Sequence, residues 1–437
     1  MKILFIENKY KTYFWDAIAL RLEKLGFEIH WLVQNKYFKP KSGIAHVIPL
    51  PSKSDLIYDA SFSEIEQKDR YSYIYGCVPY HYSYYCRRID TLISNLKPII
   101  TFGESTLFHE LLAIDVCRQL DIPYLHPTTC RYPNGRFSFY AYGSLEPFKG
   151  SGEEWCDERL TTVIDQIVNR QVVPDYMIRR RKLSAIKYRW RRVKGLIGSL
   201  VSAHIFSEVY NTPEVQKKIK IEKKRRRAVK AYESIALGEV TNEPVRKTMV
   251  YPLQMQPEAN IDVWGYPYNN QSSIVEQLAR RLGPRWQILV KPNPKSKYEI
   301  TEELVSVVSR CSNVSALSHS VSMADVFSQY HYFFSVTGTI NHECLFGGKK
   351  CFSPALPLVR DFASACFVLP QAEDCEIADR QSRCDALELI RYLVKSSYSG
   401  KIGDGIHTPD VFENENLKYV LEAFLAFINA VLNQSKH

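Results

Sequence analysis

Short apolar runs alternate with segments of helical periodicity along the first part of the chain. Residues 2–6 form a run typical of a buried strand, and 13–25 carry apolar side chains at helical spacing until Gly26, a residue type that commonly ends helices. The next run, 27–33, completes a strand–helix–strand opening. Later runs predict strands at 45–50, 98–102 and 122–125, and a helix over 107–120. This alternation predicts a parallel sheet covered by helices on both faces.

The same alternation begins again near Lys247. Predicted strands cover 248–253, 287–291, 314–317, 332–335 and 350–352, and predicted helices cover 272–282, 302–310, 322–330 and 341–346. Two Rossmann-like domains in one chain would bind a ligand in the cleft between them, beyond the carboxyl ends of the strands. We therefore predict an α/β protein with an N-terminal domain over 1–150, a second over 246–410, and a terminal helix within 411–437 that packs on the first domain.

The segment between these domains, 151–245, is strongly basic. The formal net charge of +10 concentrates there, with cations clustered at 179–194 and at 217–227 and apolar residues such as Trp190 among them. A solvated helical insert, an interfacial helix on anionic lipid and a nucleic-acid surface are the three interpretations. Because no recognition module accompanies the charges, we expect no nucleic-acid partner. That leaves a solvated insert, or one that contacts the anionic inner membrane through 179–230.

Composition narrows the class of protein further. The 437 residues suit two domains, and 45% hydrophobic with 24% charged residues is ordinary for a globular protein. The 11 cysteines include no CxxC pair, which argues against a zinc site or a disulfide framework and for a reducing compartment. No apolar run reaches the roughly 20 residues that span a bilayer, and the apolar start is too short for a signal peptide. We expect a cytoplasmic protein, soluble or peripheral on the inner membrane.

The richest candidate site follows the predicted strand at 332–335. Ser335, Thr337 and Thr339 offer hydroxyls around Gly338, which lets backbone amides approach a ligand closely. The start of the next helix adds free amides and partial positive charge that suit a phosphate. Glu343 stands one turn further along, where a carboxylate can hold ribose hydroxyls. The alternative is an ordinary strand-to-helix turn with a capping threonine.

A second candidate is the carboxylate that follows the predicted strand at 98–102. Gly103 and Glu104 stand at the carboxyl end of this strand, where doubly wound domains present reactive groups. Glu104 can act there as a general base or as a nucleophile. The alternative is a structural acid that caps the helix starting near Leu107.

Two loops of the second domain place further polar groups near the predicted cleft. The first follows the strand at 248–253 and contains Gln254, Gln256 and Glu258. The second follows the strand at 287–291, is stiffened by prolines, and contains Lys291, Asn293, Pro294 and Lys295. A rigid basic loop suits a diphosphate or a phosphate-plus-carboxylate ligand. Plain surface turns are the alternative for both.

The stretch after the predicted strand at 122–125 carries two arginines. Arg131 and Arg136 can grip an anionic sugar or an acceptor carboxylate through paired hydrogen bonds, or lie in a solvated aromatic loop. The sequence has no Ser-His-Asp, HExxH, Walker A or GxGxxG motif. Proton transfer coupled to a phosphate leaving group therefore fits its residues better than hydrolysis by a metal or a serine nucleophile.

Three short segments of the second domain form a pattern shared with a known family. They are Pro252-Leu253-Gln254 with Gln256-Pro257-Glu258, then Val290-Lys291-Pro292-Asn293-Pro294, and Thr337-Gly338-Thr339 through Glu343 with Gly348-Lys349. Together they resemble the capsule polysaccharide biosynthesis family, which includes bacterial Kdo transferases of capsule and lipopolysaccharide assembly. The first domain shares only its opening, Gly103-Glu104 and the two-arginine loop. Asn293 stands where family members commonly have histidine, so it can donate a hydrogen bond but carry no charge.

The resemblance implies a GT-B glycosyltransferase that needs no metal or other cofactor. The second domain would bind the donor, a CMP-activated ulosonic acid such as CMP-Kdo, and the first domain would mainly bind the acceptor. That acceptor would be a growing surface polysaccharide, lipid-linked or an oligosaccharide. Thr337 and Thr339 would then bind the donor phosphate and Glu343 the ribose. Glu104 would take the acceptor proton in an inverting reaction, whereas a retaining reaction would use a carboxylate as nucleophile.

Other functions stay open at the level of sequence. A transferase that uses a UDP- or GDP-sugar, or a sugar-nucleotide epimerase, would have the same fold and similar polar groups. A non-catalytic assembly partner would keep the fold without the reaction.

Overall fold

Two sheets built mainly from parallel strands, each with its own helices, organise the chain. The structure is a computed structural model that describes all residues except 77–78, 173, 176–196, 198–200, 202–209, 212–214, 241–246, 296–297, 364–365, 406–407 and 435–437. It divides into unit 1, made of Met1–Trp155, Val173–Glu214 and Tyr392–His437, and unit 2, made of Cys156–Val172 and Val215–Arg391. The predicted pair of Rossmann-like folds is confirmed.

The strands follow the predicted order, with additions in unit 1. They are β1 (Lys2–Ile6), β2 (Glu28–Val33), β3 (Ile44–Val47), β4 (Ile100–Phe102), β5 (Tyr124–Thr129), β6 (Arg136–Ala141), β7 (Pro147–Lys149), β8 (Lys247–Pro252), β9 (Trp286–Lys291), β10 (Val314–Ala316), β11 (Tyr332–Phe334), β12 (Lys350–Phe352) and β13 (Tyr398–Ser399).

The α-helices alternate with these strands. They are α1 (Thr12–Lys24), α2 (Ser63–Lys68), α3 (Arg70–Tyr75), α4 (Tyr82–Leu96), α5 (Phe108–Gln119), α6 (Asp157–Val168), α7 (Val215–Ile235), α8 (Ala259–Asp262), α9 (Gln271–Leu282), α10 (Glu302–Arg310), α11 (Met323–Gln329), α12 (Ile340–Phe346), α13 (Pro357–Phe362), α14 (Ala372–Arg380), α15 (Ala386–Lys395) and α16 (Asn414–Gln434).

Strand order is the same in the parallel part of both sheets. In unit 1 it runs β3-β2-β1-β4-β5, and in unit 2 it runs β10-β9-β8-β11-β12. Unit 1 continues beyond β5 with the antiparallel strands β6 and β13, and β7 also pairs with β6. In each unit the direction of winding therefore reverses between the first and the fourth strand, which in doubly wound sheets is the point where ligands bind.

One face of the unit 1 sheet is covered by the first and the last helix of the chain. Phe14, Ile18 and Leu22 of α1 are buried in the same apolar cluster as Phe424 and Phe427 of α16. The ring of Phe424 in α16 lies 4.5 Å from that of Phe102 in β4, between ring centroids. Packing of this kind supplies most of the stability of an amphipathic helix, so residues from both ends of the sequence build one core.

The core of unit 2 forms around its central strands. Tyr251 of β8 and Phe334 of β11 are fully buried, with ring centroids 5.1 Å apart. Helix α7 belongs to this unit, because Tyr232 is buried and its hydroxyl donates to the carbonyl of Val290 in β9 at 3.0 Å. The second half of the predicted basic region is therefore a helix packed on unit 2.

The structure differs from the sequence-based expectation in several places. Residues 126–129, predicted as loop, continue β5 and pair with β6 in a hairpin. The helices between 63 and 96 were not predicted, although the buried residues Tyr82, Tyr85, Ile89, Ile93 and Leu96 of α4 recur at helical spacing. The basic cluster at 179–194 lies outside the described residues. Within the described part of the chain, no helix is both long and apolar enough to cross a membrane.

Candidate functional site

The winding-reversal point of unit 1 lies between β1 and β4, and Glu104 stands at its edge. Gly103 links the end of β4 to Glu104, and a Cβ atom at position 103 would overlap the hydroxyl of Tyr124. That hydroxyl donates to the carbonyl of Glu104 at 2.5 Å. A glycine and a buried tyrosine thus fix the backbone that carries the carboxylate.

The carboxylate of Glu104 is paired with a lysine from the other side of the reversal point. Glu104 is only 7% exposed, and its Oε1 lies 2.5 Å from Nζ of Lys11, which stands just before α1. Burial raises the pKa of Glu104, the charge of Lys11 opposes that rise, and the nearby Glu110 adds to it. A buried carboxylate with a raised pKa and a cation beside it is typical of a group that accepts a proton during a reaction.

The structural role that the sequence left open for Glu104 belongs to Glu110 instead. The Oε2 of Glu110 accepts from the backbone amides of Thr106 at 3.0 Å and Leu107 at 2.9 Å. Its Oε1 accepts from the amide of Glu104 at 3.1 Å and from Nδ2 of Asn8 at 2.9 Å. Glu110 therefore caps the start of α5 and holds the β4–α5 loop.

Glu7 and His109 complete this end of the sheet and were not singled out from the sequence. Glu7 follows β1, and its carboxylate accepts from the amides of Lys9 at 2.6 Å and Asn35 at 3.1 Å. Nε2 of His109 donates to the Glu7 carbonyl at 2.8 Å. A carboxylate directly after the first predicted strand was a signal equal to that of Glu104. Lys11 had no such signal.

In unit 2 the same position is occupied by the turn after β11. Thr337 is fully buried, and its amide donates to Oε1 of Gln254 at 2.9 Å while Nε2 of Gln254 donates to its hydroxyl at 2.9 Å. That hydroxyl in turn donates to the carbonyl of Asn260 at 2.5 Å. The hydroxyl of Ser335, also buried, accepts from the amide of Gly338 at 3.2 Å. These hydroxyls hold the turn together.

The exposed part of this turn is consequently smaller than predicted. Gly338 and Thr339 are half-buried, whereas Ser335 and Thr337 are buried. A Cβ atom at position 338 would overlap the Ser335 hydroxyl, so the turn requires glycine for its own close packing. Of these four residues, only Gly338 and Thr339 keep exposed surface.

The two glutamines after β8 belong to a buried amide network. The side chain of Gln271 donates to the Gln254 carbonyl at 2.7 Å and to Oε1 of Gln256 at 3.0 Å, and accepts from the Gln254 amide at 2.8 Å. Gln256 donates to Oδ1 of Asp262 at 2.6 Å. Glu258, at the start of α8, is half-buried, and its amide donates to Asp262 at 2.8 Å. Side-chain amides and the carboxylate of Asp262 thus shape this loop.

The predicted basic loop after β9 presents fewer cations than its sequence suggests. Lys291 is 3% exposed, and its Nζ donates to the carbonyls of Pro292 at 3.2 Å and Ser318 at 3.3 Å. Burial lowers the pKa of Lys291, against a smaller opposing effect of Glu233. Oδ1 of Asn293 accepts from the amide of Lys295 at 2.8 Å and closes the turn. Pro294 and Lys295 are exposed.

The two arginines of the β5–β6 hairpin are both nearly buried. Arg131 lies in its turn and is 9% exposed. Arg136, at the start of β6, donates to the carbonyls of Val394 at 3.1 Å and Ser397 at 2.9 Å and pairs with Glu153 at 2.6 Å. Its guanidinium holds the C-terminal part of the chain onto the sheet, a structural role that competes with the predicted ligand contact.

Glu343, the predicted ribose-binding residue, forms an ion pair with Arg170. Arg170 follows α6, which belongs to unit 2 although it lies within the predicted insert. No motif marked this arginine in the sequence.

Comparisons with known proteins give only distant similarities. No family model matches the sequence, and no curated protein matches it. The β-Kdo 2,7-transferase KpsC of Thermosulfurimonas dismutans is 11% identical with a TM-score of 0.37, over 96% of this chain and 100% of that chain. A UDP-GlcNAc 2-epimerase from Neisseria meningitidis, bound to UDP-GlcNAc, is 13% identical with a TM-score of 0.28, over 98% of this chain and 100% of that chain. Likeness at this level transfers neither a substrate nor a residue role.

Proposed function

We propose that this protein is a glycosyltransferase in which Glu104 takes the proton of an acceptor hydroxyl. The observation that carries the proposal is the buried Glu104–Lys11 pair at the winding-reversal point of unit 1. Burial makes the Glu104 carboxylate a better base than an exposed one, while Lys11 limits that rise and favours the ionised form. A base of this kind suits activation of a hydroxyl near neutral pH.

In the proposed reaction, the acceptor hydroxyl gives its proton to Glu104 as its oxygen bonds to the anomeric carbon. The bond from that carbon to the donor phosphate breaks, and its electron pair leaves with the phosphate. Unit 2 binds the nucleotide, with Thr339 and Lys295 toward the phosphate and Glu343 toward the ribose. These three residues keep exposed or half-buried surface, which supports this assignment.

The donor we propose is a CMP-activated ulosonic acid such as CMP-Kdo, and the acceptor a growing capsule or lipopolysaccharide chain in the cytoplasm. This choice follows the sequence resemblance in the second domain. The reaction needs no metal in this proposal, because the phosphate would be stabilised by backbone amides and lysine.

The proposal is tested by mass spectrometry of reactions that contain the protein, an oligosaccharide or lipid-like acceptor, and CMP-Kdo, UDP-GlcNAc or a GDP-sugar. Acceptor extended by Kdo is the expected result. Extension from a UDP- or GDP-sugar would show that the protein is a transferase but that the proposed donor is wrong. An epimerised sugar nucleotide without transfer would establish the epimerase, and the absence of any conversion would favour a non-catalytic partner.

Helix α7 supports a further part of the proposal, which is docking to an anionic membrane. Lys220, Lys223, Arg227 and Lys230 are exposed at helical spacing on one face, whereas Ala228 and Tyr232 of another face are buried against unit 2. Ile219 is 51% exposed beside the cations. Cations around an exposed aliphatic side chain are typical of interfacial helices, and anionic lipid would bring the enzyme to a lipid-linked acceptor.

Vesicle flotation tests the docking. Changing Lys220, Lys223, Arg227 and Lys230 to Gln should weaken binding to phosphatidylglycerol vesicles at least tenfold, since each cation near an anionic surface contributes about 1 kcal/mol. The same change at the exposed Lys24, Lys41, Lys53 and Lys418 removes equal charge and should have little effect. Binding to RNA but not to vesicles would contradict the membrane assignment.

A further inference from the structure

Three contacts within unit 2 fix the guanidinium of Arg170. Its Nη2 forms the ion pair with Oε2 of Glu343, and its Nη1 donates to the carbonyl of Met323 at 2.9 Å. The guanidinium carbon also lies 4.9 Å from the ring centroid of Phe327. The Arg170 and Glu343 side chains are 25% and 12% exposed, so water only partly screens the pair.

The backbone of Arg170 adopts an unusual conformation. Its φ of 55° lies in the left-handed region, which side chains larger than glycine rarely adopt. The amide of Arg170 donates to the Ile167 carbonyl at 3.0 Å, so the residue ends α6 and turns the chain. Glycine would suit this conformation better, so arginine stands here at a conformational cost.

A second cation lies beside the same aromatic ring. Nζ of Lys349 is 4.8 Å from the ring centroid of Phe327 and donates to the Tyr330 carbonyl at 2.8 Å. Phe327 and two main-chain carbonyls thus position both Arg170 and Lys349. Arg170 forms the ion pair with the carboxylate of Glu343.

We propose that Arg170 is a positioning residue that orients the carboxylate of Glu343 toward the two hydroxyls of the donor's ribose. The inference rests on the proposed function, which gives Glu343 its ribose. A carboxylate has about four acceptor sites on its two oxygens, so contact with Arg170 is compatible with accepting from two hydroxyls. The guanidinium, held by Phe327 and the Met323 carbonyl, fixes the position of one carboxylate oxygen, Oε2 of Glu343.

The proposal is tested by comparing nucleotides that differ in one ribose hydroxyl. Titration calorimetry would give Kd for CMP and 2′-deoxy-CMP, and for UDP and 2′-deoxy-UDP, with the full-length protein. Because a hydrogen bond to a charged group changes affinity by about ten- to a hundredfold, the wild type should prefer the ribonucleotide at least tenfold. Arg170→Met should reduce that preference to about twofold while leaving the Kd of the deoxynucleotide within about twofold.

Two further variants separate positioning from folding. Arg170→Lys keeps the charge but not the planar fork, so it should retain only part of the preference. Arg310→Met removes another arginine of unit 2, whose partner Glu276 lies 2.6 Å away on the surface, and should leave the preference unchanged. If Arg170→Met does not fold, Arg170→Lys decides: an unreduced preference would overturn the inference.

The remaining outcomes also decide. Equal weakening of ribo- and deoxynucleotide binding by Arg170→Met would show a merely structural role and overturn the inference alone. Failure of the wild type to bind any of the four nucleotides would overturn both the inference and the CMP-activated donor of the proposed function.

Discussion

The winding-reversal points of the two sheets are equivalent in topology but differ in their side chains, which are ionisable in unit 1 and neutral in unit 2. In unit 1 the strand ends bear ionisable groups, Glu7 after β1 and Glu104 after β4, with Lys11 beside them. In unit 2 the strand ends bear Gln254 after β8 and Thr337 after β11, which are neutral and bonded to each other. The same backbone position therefore supports a proton acceptor in one unit and a fixed turn in the other.

The difference follows from what burial does to each kind of group. Burial changes the proton affinity of a carboxylate, and the pKa of Glu104 is raised accordingly. A buried amide keeps its charge state at every pH and contributes only if its hydrogen bonds are complete, as they are between Gln254, Gln256 and Gln271. The reversal point of unit 1 thus contains a group that can change its charge, whereas that of unit 2 contains a turn fixed by neutral groups.

The largest expected effect is on turnover. Changing Glu104→Gln should lower kcat about 10²- to 10⁴-fold, because the amide keeps the shape but cannot accept the proton. Nucleotide binding, measured by calorimetry, should be unchanged. Glu64→Gln, at an exposed acid of unit 1, is the matched control. Full turnover of the Glu104 variant would remove this residue from the mechanism.

The next effect concerns the amide network of unit 2. Gln271→Leu leaves buried groups of Gln254 and Gln256 without partners and should lower the stability of unit 2 by about 3 kcal/mol. Hydrogen-exchange mass spectrometry should show faster exchange in β8 and β11 and no change in β1 and β4. Gln277→Leu on the same helix, where the side chain is half-buried, should have little effect. Faster exchange in both units would contradict a network confined to unit 2.

A third effect tests whether buried acids make unit 1 sensitive to pH. Asp69 is 1% exposed and accepts from the Tyr82 hydroxyl at 2.6 Å, and burial raises its pKa from 3.8 to about 6. A carboxyl group with a raised folded pKa contributes stability below about pH 4 that is lost as pH rises through 6. Relative to wild type, Asp69→Asn should therefore gain about 2 kcal/mol of stability between pH 4.5 and 7.

The measurement is urea unfolding of both proteins at each pH. The pH dependence of wild type alone does not isolate Asp69. Burial also lowers the pKa values of His81 and His126 to about 3, so these two residues make the folded protein less stable as pH falls. Both proteins contain them, so their effect cancels in the difference. A difference independent of pH would contradict the raised pKa of Asp69.

The smallest effect distinguishes Lys11 from a passive surface lysine. Without its cation, Glu104 should have a still higher pKa, since Lys11 opposes the effect of burial. Lys11→Met should therefore move the acidic limb of the pH–rate profile to higher pH and lower kcat roughly tenfold at neutral pH. Lys24→Met, at an exposed position, should leave the profile in place. If the acidic limb did not move in Lys11→Met, Lys11 would have no effect on the pKa of Glu104 during the reaction.

Much of the fold could be predicted from the sequence because strands and helices alternate with clear apolar periods. All five strands of unit 2 lie within about two residues of the predicted ones. Strands β6 and β7, which pair with neighbours in sequence, lie in a stretch for which no strand was predicted. Strand β13 was missed because it has only two residues and pairs with the distant β6. Tertiary pairing of that kind leaves no local pattern.

The site residues also divide into those marked by a local sequence pattern and those that depend on distant partners. Glu104 could be singled out because a carboxylate at a strand's carboxyl end is a local feature, and the same rule would have singled out Glu7. Lys11 and Arg170 could not be found, because their partners are distant in sequence; Arg170 and Glu343 are 173 residues apart. Nor does the sequence reveal that the Thr337 hydroxyl faces its own turn.

The path of the chain between the units bears on how the protein is made. It passes from one unit to the other at four points, and unit 1 contains both the first residues and the last. During synthesis, β1 and β2 emerge well before α16, which covers their apolar face. At about 5 to 20 residues per second, a ribosome would leave that surface uncovered for roughly 20 to 80 seconds. Unit 2 can fold during this time. Newly made chains should therefore depend on chaperones that bind the exposed apolar face of β1 and β2.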